Sequence, residues 1–410
     1  MDISSLLFDL LLILVSARIL SELVSHFGSP GVIGELAAGI IIGPSILGLV
    51  EINTVIELLG QIGVILLLFE VGLETDMNRM METGRKSFIV ALGGFVGPFV
   101  ASFLVSYLLF RQPLLVSLFI GGTLTATSIG ITARTLLDIG KQNSKEGQIT
   151  LGAAVLDDIL GVVLLALLYE FSVSGEVNWI NTLNVLIFVG LFFLLAPILA
   201  RSFSSIVHRW HMHKPSPGLI PGTIVSLVLF FAWIAHAMGA PEILGGFAAG
   251  LALSRRFFLP FGLSLQTDHD FANQIKQEMT PIVQLFTPMF FVSVGLSMDL
   301  REVDWGSLFF WVFTIIMLGI AIFSKYLGAM FINEPWPRRI VVGMAMVPRG
   351  EVGLIFAGLG VAGNIFSNDI YTAIIMVIIY TTLLSPFWIK LYYRRYGHLI
   401  PDETSSTDTE

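Results

Sequence analysis

Thirteen apolar stretches recur along this chain, at 5–27, 31–50, 54–75, 86–110, 113–138, 146–170, 180–207, 219–238, 241–257, 278–298, 306–332, 338–363 and 367–391. Each is long enough to cross about 30 Å of hydrocarbon. In lipid the backbone finds no water to bond, so only helices and closed barrels can span. Strand-like alternation is absent, which excludes a barrel and leaves an all-α polytopic membrane protein with 13 transmembrane helices. Composition agrees: 13% of residues are charged, against about 25% in soluble proteins, and mean hydropathy is +0.85. The 40 glycines suit close helix packing in lipid. With no cysteine, disulfides, thiol nucleophiles and thiolate metal sites are all excluded.

The positive-inside rule orients the spans. With the N-terminus outside, the inner set is Arg79, Arg85, Lys86, Lys141, Lys145, Arg201, Arg209, Lys214, Arg255, Arg256, Lys276, Arg338, Arg339, Lys390, Arg394 and Arg395. Only Arg111 and Arg301 fall outside. Of the 22 basic residues, four remain within or beside spans: Arg18, Arg134, Lys325 and Arg349. Adding or dropping one span would scramble this bias, so the expected topology puts the C-terminus in the cytoplasm.

Short motifs repeat at an offset of seven spans. FEVGLETDM (69–77) matches FVSVGLSMDL (291–300), and GELAAGIIIG (34–43) shares A-A-G with GGFAAGLALS (245–254). Seven is odd, so the repeats face opposite ways across the membrane. Inverted repeats are the usual ground plan of secondary transporters, with the site near the midplane between broken helices. The same offset pairs the fifth span, containing GGTLTATSIGIT (121–132), with the twelfth, containing MVPRGEVGL (346–354). Pro348 and Gly350 interrupt a helix, and freed carbonyls must find partners or line a wet cavity. Two discontinuous crossing helices, in the fifth and twelfth spans, are expected.

Charges collect at that level. LGAAVLDDILGVVLLALL (151–168) carries Asp157 and Asp158 in an otherwise apolar run. One charge at the bilayer centre costs roughly 2.5–3.5 kcal/mol, so such residues mark function. Asp157 and Arg349 each lie eleven residues into spans that start inside, Thr127 and Ser128 fourteen or fifteen into one that starts outside. Lys325 is about seven residues from the inner end of its span. At 1.5 Å per residue all of them can meet in one layer. Adjacent helical residues diverge by about 100°, so one aspartate can face a cavity while the other faces a basic neighbour, for which Lys325 is the candidate. Arg349 and Glu351 can satisfy the broken backbone and each other.

With TATSIGITARTLLDIG (125–140), GAAVLDDILG (152–161) and PRGEVGL (348–354) in view, the chain resembles the monovalent cation:proton antiporters, in particular the bacterial sodium/proton branch with paired aspartates. The resemblance covers almost the whole chain. It implies a cation held at Asp158 and Thr127, with Ser128 as an extra ligand, and an ion pair between Asp157 and Lys325. It further implies a homodimer with a scaffold from residues 1–75 and 219–298 (spans 1–3 and 8–10). The core transport domain would be 86–170 and 306–391 (spans 4–6 and 11–13), with 180–207 as a linker helix and 392–410 as a cytoplasmic tail. Related potassium efflux systems carry an attached nucleotide-binding domain. A chain ending at residue 410 is expected to lack it.

The expected activity is exchange of Na+ or Li+ for H+ in a prokaryotic inner membrane. The protein would be no enzyme and would use no cofactor. Its partners would be the transported ions and the lipid bilayer, and no nucleic acid. Asp158 would hold either a proton or a dehydrated cation, hard oxygen ligands suiting alkali ions. A Lys325 that gives up its proton when the cation binds would make exchange electrogenic. The rivals are a potassium/proton antiporter on the same scaffold, a gated cation channel, a sodium-coupled symporter of an organic anion, and a non-transporting sensor. GLGVAG (358–363) follows no strand, so it is not a dinucleotide site. His208, His211 and His213 sit in a loop without the matched spacing of a metal site.

Overall fold

The computed structural model describes residues 3–27, 30–74, 77–174, 187, 190–191, 219–253, 269–301 and 303–400. Most of the seventh apolar stretch, the histidines at 208, 211 and 213, and the end of the tail lie outside the described residues.

All regular structure among the described residues is helical. The first half carries α1 (Ile3–His26), α2 (Gly31–Ile42), α3 (Thr54–Glu74), α4 (Met77–Leu104) with a π-helical turn at Val105–Leu109, α5 (Leu114–Thr125), α6 (Ile129–Asp138) and α7 (Lys145–Ser174). The second carries α8 (Leu219–Ala237), α9 (Glu242–Leu253), α10 (His269–Leu296), α11 (Leu308–Met330), α12 (Trp336–Ala345), α13 (Glu351–Ala362) and α14 (Asn368–Tyr396). Nine helical segments among the described residues are long and apolar enough to cross a membrane. Three further apolar helices are shorter, Gly31–Ile42, Glu242–Leu251 and Val352–Val361, and they lie in the second, ninth and twelfth expected stretches. The second stretch was expected to run to residue 50. It stops at Ile42 because Gly43 and Pro44 follow, and Gly48, at φ +60, lets the chain fold back. The amides of Leu49 and Val50 then bond the Ile42 carbonyl at 2.9 and 3.1 Å, which satisfies part of the open helix end.

The chain divides into two compact units. Unit 1 comprises Met1–Leu20, Glu35–Glu82 and Asn178–Ser297. Its core includes Ile13, Ala17, Ala38, Ile42, Val292 and Leu296, and α3 packs along α9 and α10. Glycine permits these close approaches. A methyl carbon on Gly39 would lie 2.8 Å from Gly295 Cα, and one on Gly295 would lie 2.9 Å from Gly39 Cα. In the same way, one on Gly72 would lie 3.2 Å from Gly250 Cα. The A-A-G of each repeat thus meets the V-G-L of the other, with Gly39 on Gly295 and Gly250 on Gly72. The Gly39-x-x-x-Gly43 and Gly246-x-x-x-Gly250 motifs make their contacts within the chain.

Unit 2 comprises Ser21–Gly34, Thr83–Val177 and Met298–Glu410. Here α11 packs on α12 and α14, α5 packs on α13 and α7, and α6 packs on α7. At Gly93 and Gly328, α4 and α11 cross so closely that a methyl carbon on Gly93 would lie 2.8 Å from Gly328 Cα. At the start of α7 and α12 lies a polar junction. Glu334 takes Lys86 and Arg338 and lies 3.4 Å from Lys145.

Candidate functional site

Two helix breaks face each other inside unit 2. The α-helical backbone ends at Thr125, Ala126 turns extended at φ −63 and ψ 137, and α6 restarts at Ile129 with Ser128 as its N-cap. The Ser128 hydroxyl oxygen accepts from the Ile131 amide at 3.4 Å. Opposite, α12 ends at Ala345, and α13 begins at Glu351 after Gly350. The Ser128 amide donates to the Pro348 carbonyl at 2.9 Å, joining the two breaks. Gly350 is required by the close approach, because a methyl carbon there would stand 2.6 Å from Ser128 Cβ.

The open carbonyls at these breaks find partners in the opposite segment. The Thr127 hydroxyl donates to Met346 O at 3.1 Å and the Thr132 hydroxyl to Ala345 O at 2.8 Å. Arg349 Nη1 donates to Thr125 O at 2.9 Å and Ala126 O at 3.0 Å, and Nη2 donates to Ala321 O at 3.1 Å on α11. The Thr382 hydroxyl of α14 donates to the Arg349 carbonyl. A guanidinium beside the C-terminal carbonyls of α5 meets the negative end of that helix.

The charged layer forms around these breaks. Asp157, Asp158, Lys325 and Arg349 are all 0% exposed. Lys325 Nζ donates to Asp157 Oδ2 at 3.1 Å and Oδ1 at 3.3 Å, and the Thr127 amide donates to the same Oδ2 at 2.8 Å. Asp157 is therefore bonded to both the lysine and the first break. Asp158 follows it on α7, about 100° further round the helix. The lysine stem lies against Gly94 of α4, where a methyl carbon would be 3.2 Å from Lys325 Cδ.

The structure thus brings together Asp157, Lys325, Thr127, Ser128 and Arg349, with Asp158 adjacent. Glu351 opens α13, but its side chain lies outside the described residues. The expected bonding of Arg349 to the broken backbone is present. Sequence reasoning missed Thr132, Thr382 and Gly94. Thr132 belongs to the quoted GGTLTATSIGIT stretch, so only its partner was hidden. Gly94 carried one faint signal, the Gly93-Gly94 pair in a membrane span.

Fold and site define a class: a multi-pass membrane protein with buried acidic and basic side chains gathered where two helices break. The family model described as "Sodium/hydrogen exchanger, transmembrane" matches residues 11–395, and the chain belongs to that family. It is 34% identical over 397 residues to the "Probable Na(+)/H(+) antiporter GerT" of Bacillus cereus, covering 94% of this chain and 99% of that one. It is also 34% identical over 388 residues to the "Na(+)/H(+)-K(+) antiporter GerN" of Bacillus cereus, covering 93% and 95%. The solved structure of the sodium proton antiporter MjNhaP1 from Methanocaldococcus jannaschii shares the fold, with a TM-score of 0.69, 16% identity, and coverage of 95% and 99%.

Proposed function

We propose that this chain is a secondary transporter exchanging a monovalent cation, sodium or lithium first, for protons. The observation that carries the reading is the pair of adjacent, fully buried carboxylates at facing helix breaks, the first of them bonded to a lysine and a break amide. One carboxylate is fixed by its partners. The other, Asp158, serves as the exchange group, holding either a proton or a dehydrated cation. Because one group carries both, the two fluxes are coupled. The Thr127 hydroxyl donates its hydrogen bond to Met346 O, which leaves its oxygen lone pairs to a cation, and Ser128 adds a second hydroxyl oxygen. Loss of the Lys325 proton when the cation binds makes exchange electrogenic.

Thirteen spans in inverted repeats, with the N-terminus outside and the C-terminus in the cytoplasm of a prokaryotic cell, frame this mechanism. The reciprocal glycine contacts of unit 1 support the repeat. The amide–carbonyl bond between residues 128 and 348 supports reading the fifth and twelfth spans as discontinuous and crossing. In this reading unit 2, which holds the site, is the moving transport domain. Unit 1 is the scaffold, and through it the protein forms a homodimer. A second reading, potassium as cargo on the same scaffold, is favoured by the likeness to GerN, whose name includes potassium.

Asp158→Asn tests the assignment. The neutral amide keeps the shape but cannot alternate between proton and cation, so cation-dependent proton movement in liposomes falls to background while the protein stays folded. Movement at near wild-type rate would remove Asp158 from the centre of the mechanism.

A further inference from the structure

An ion pair far from the breaks ties α7, which carries the paired aspartates, to α12, which ends at the second break. Glu146 in the first turn of α7 and Arg338 in the first turn of α12 are each 2% exposed. Arg338 Nε donates to Glu146 Oε2 at 3.2 Å, and the Tyr393 hydroxyl of α14 donates to Glu146 Oε1 at 2.9 Å. Both carboxylate oxygens are therefore engaged. Around them, Lys86, Lys145 and Arg338 meet on Glu334, and Lys141 lies 5.7 Å from the Tyr393 ring centroid.

The middle of α7 and the end of α12 are tied again through Thr127. Its amide bonds Asp157, eleven residues on from Glu146, and its hydroxyl bonds Met346, eight residues on from Arg338. At 1.5 Å per residue these ties lie roughly 17 Å apart along α7 and roughly 12 Å apart along α12. The two helices form the long sides of a closed frame, with Glu146–Arg338 closing one end and Thr127 the other. A buried ion pair adds little net stability over packed apolar groups. It bears on register instead, since the planar guanidinium fork holds Glu146 through Nε and Glu334 through Nη1 at a fixed mutual angle.

We propose that Glu146 is a positioning residue: through Arg338 it sets the height of α12 against α7, and so the spacing of the Thr127 hydroxyl, the Met346 carbonyl and the paired aspartates. Its consequence for transport rests on the antiport reading, while its consequence for backbone order at the breaks does not. Two measurements on the full chain separate them.

The first is hydrogen exchange, comparing wild type with Glu146→Ala. Exchange at 123–132 and 342–350 quickens by about tenfold through local opening, while 219–253 in the other unit is unchanged. The second is the sodium dependence of proton release in liposomes. Glu146→Ala raises the half-saturating sodium concentration about three- to tenfold with maximal rate within about twofold, the split expected when binding alone is weakened. Glu146→Gln, which keeps an acceptor oxygen, recovers most of both. Uniformly faster exchange in both units, or an unchanged half-saturating concentration in an active variant, would reduce Glu146 to a general stabiliser and overturn the proposal. Should Glu146→Ala not fold, Arg338→Lys keeps the charge and loses the fork. An intermediate rise in half-saturating sodium then supports the frame, and no rise overturns it. If wild type itself moves no protons with sodium, the antiport reading fails, and hydrogen exchange alone decides whether the frame exists.

Discussion

Asp157 and Lys325 lie 3.1 Å apart with both side chains 0% exposed, and neither charge is tolerable there without the other. In Lys325→Gln, Asp157 keeps the Thr127 amide but loses its counter-charge, a change of about 3–5 kcal/mol for a dry buried pair. The melting temperature falls accordingly. Residual exchange loses its response to an imposed membrane potential, because the charge the lysine carries is gone. A potential-sensitive Lys325→Gln transporter would reduce Lys325 to a strut. This pairing was legible in the sequence because an ionised group in an apolar run demands a partner, and few were available. Thr132 was not legible as a ligand of Ala345 O. A threonine in a membrane helix ordinarily bonds its own i−4 carbonyl, as Thr123 and Thr125 do, and nothing in the sequence marks the one that reaches across. Gly94 was hidden for a similar reason. Its role is to leave room for a lysine stem, and that absence of atoms reads the same at any of the 40 glycines.

Among the elements, the two breaks depend on glycine where they touch. Gly350→Ala places a methyl group 2.6 Å from Ser128 Cβ, and overpacking of this kind costs about 1–3 kcal/mol. Thermal melting and transport rate both drop. Gly358→Ala, in the same helix α13 with nothing within 4 Å of the new methyl carbon, leaves both near wild type and serves as the control. The interruptions at 126–128 and 346–350 were legible from Thr/Ser/Gly and Pro-Arg-Gly content, but their direct bond was not, because no local pattern states which carbonyl a displaced amide will find. At the polar junction, burial alone would raise the Glu334 carboxyl. The hydrogen bonds from Lys86 and Arg338, with the charges of Arg338 and Lys145, outweigh it and hold the group below its ordinary 4.5. A group depressed on folding contributes stability that is present above its unfolded value and lost as pH falls through its folded one. The melting-temperature gap between wild type and Glu334→Gln is therefore constant above pH 4.5 and closes below it. A gap that stays open in acid would contradict the network.

At the scale of the whole molecule, the apolar stretches and the charge bias outlined a helical membrane protein, while the nine spans long enough by themselves among the described residues fall short of thirteen. The shortfall has physical causes. A stretch of 20 apolar residues need not be one helix when Gly-Pro or Pro-Arg-Gly interrupts it, and the seventh stretch lies largely outside the described residues. The division into two units was approached in sequence only through likeness to a family, since separate segments join each unit and nothing local records which segments meet. The central claim is coupled exchange at Asp158, and purified protein in liposomes tests it most directly. With a pH gradient imposed, acid inside, and an internal pH dye, sodium, lithium and potassium are added outside in turn. The account predicts proton release on addition of sodium or lithium, abolished in Asp158→Asn. Cation entry with no accompanying proton movement would contradict it.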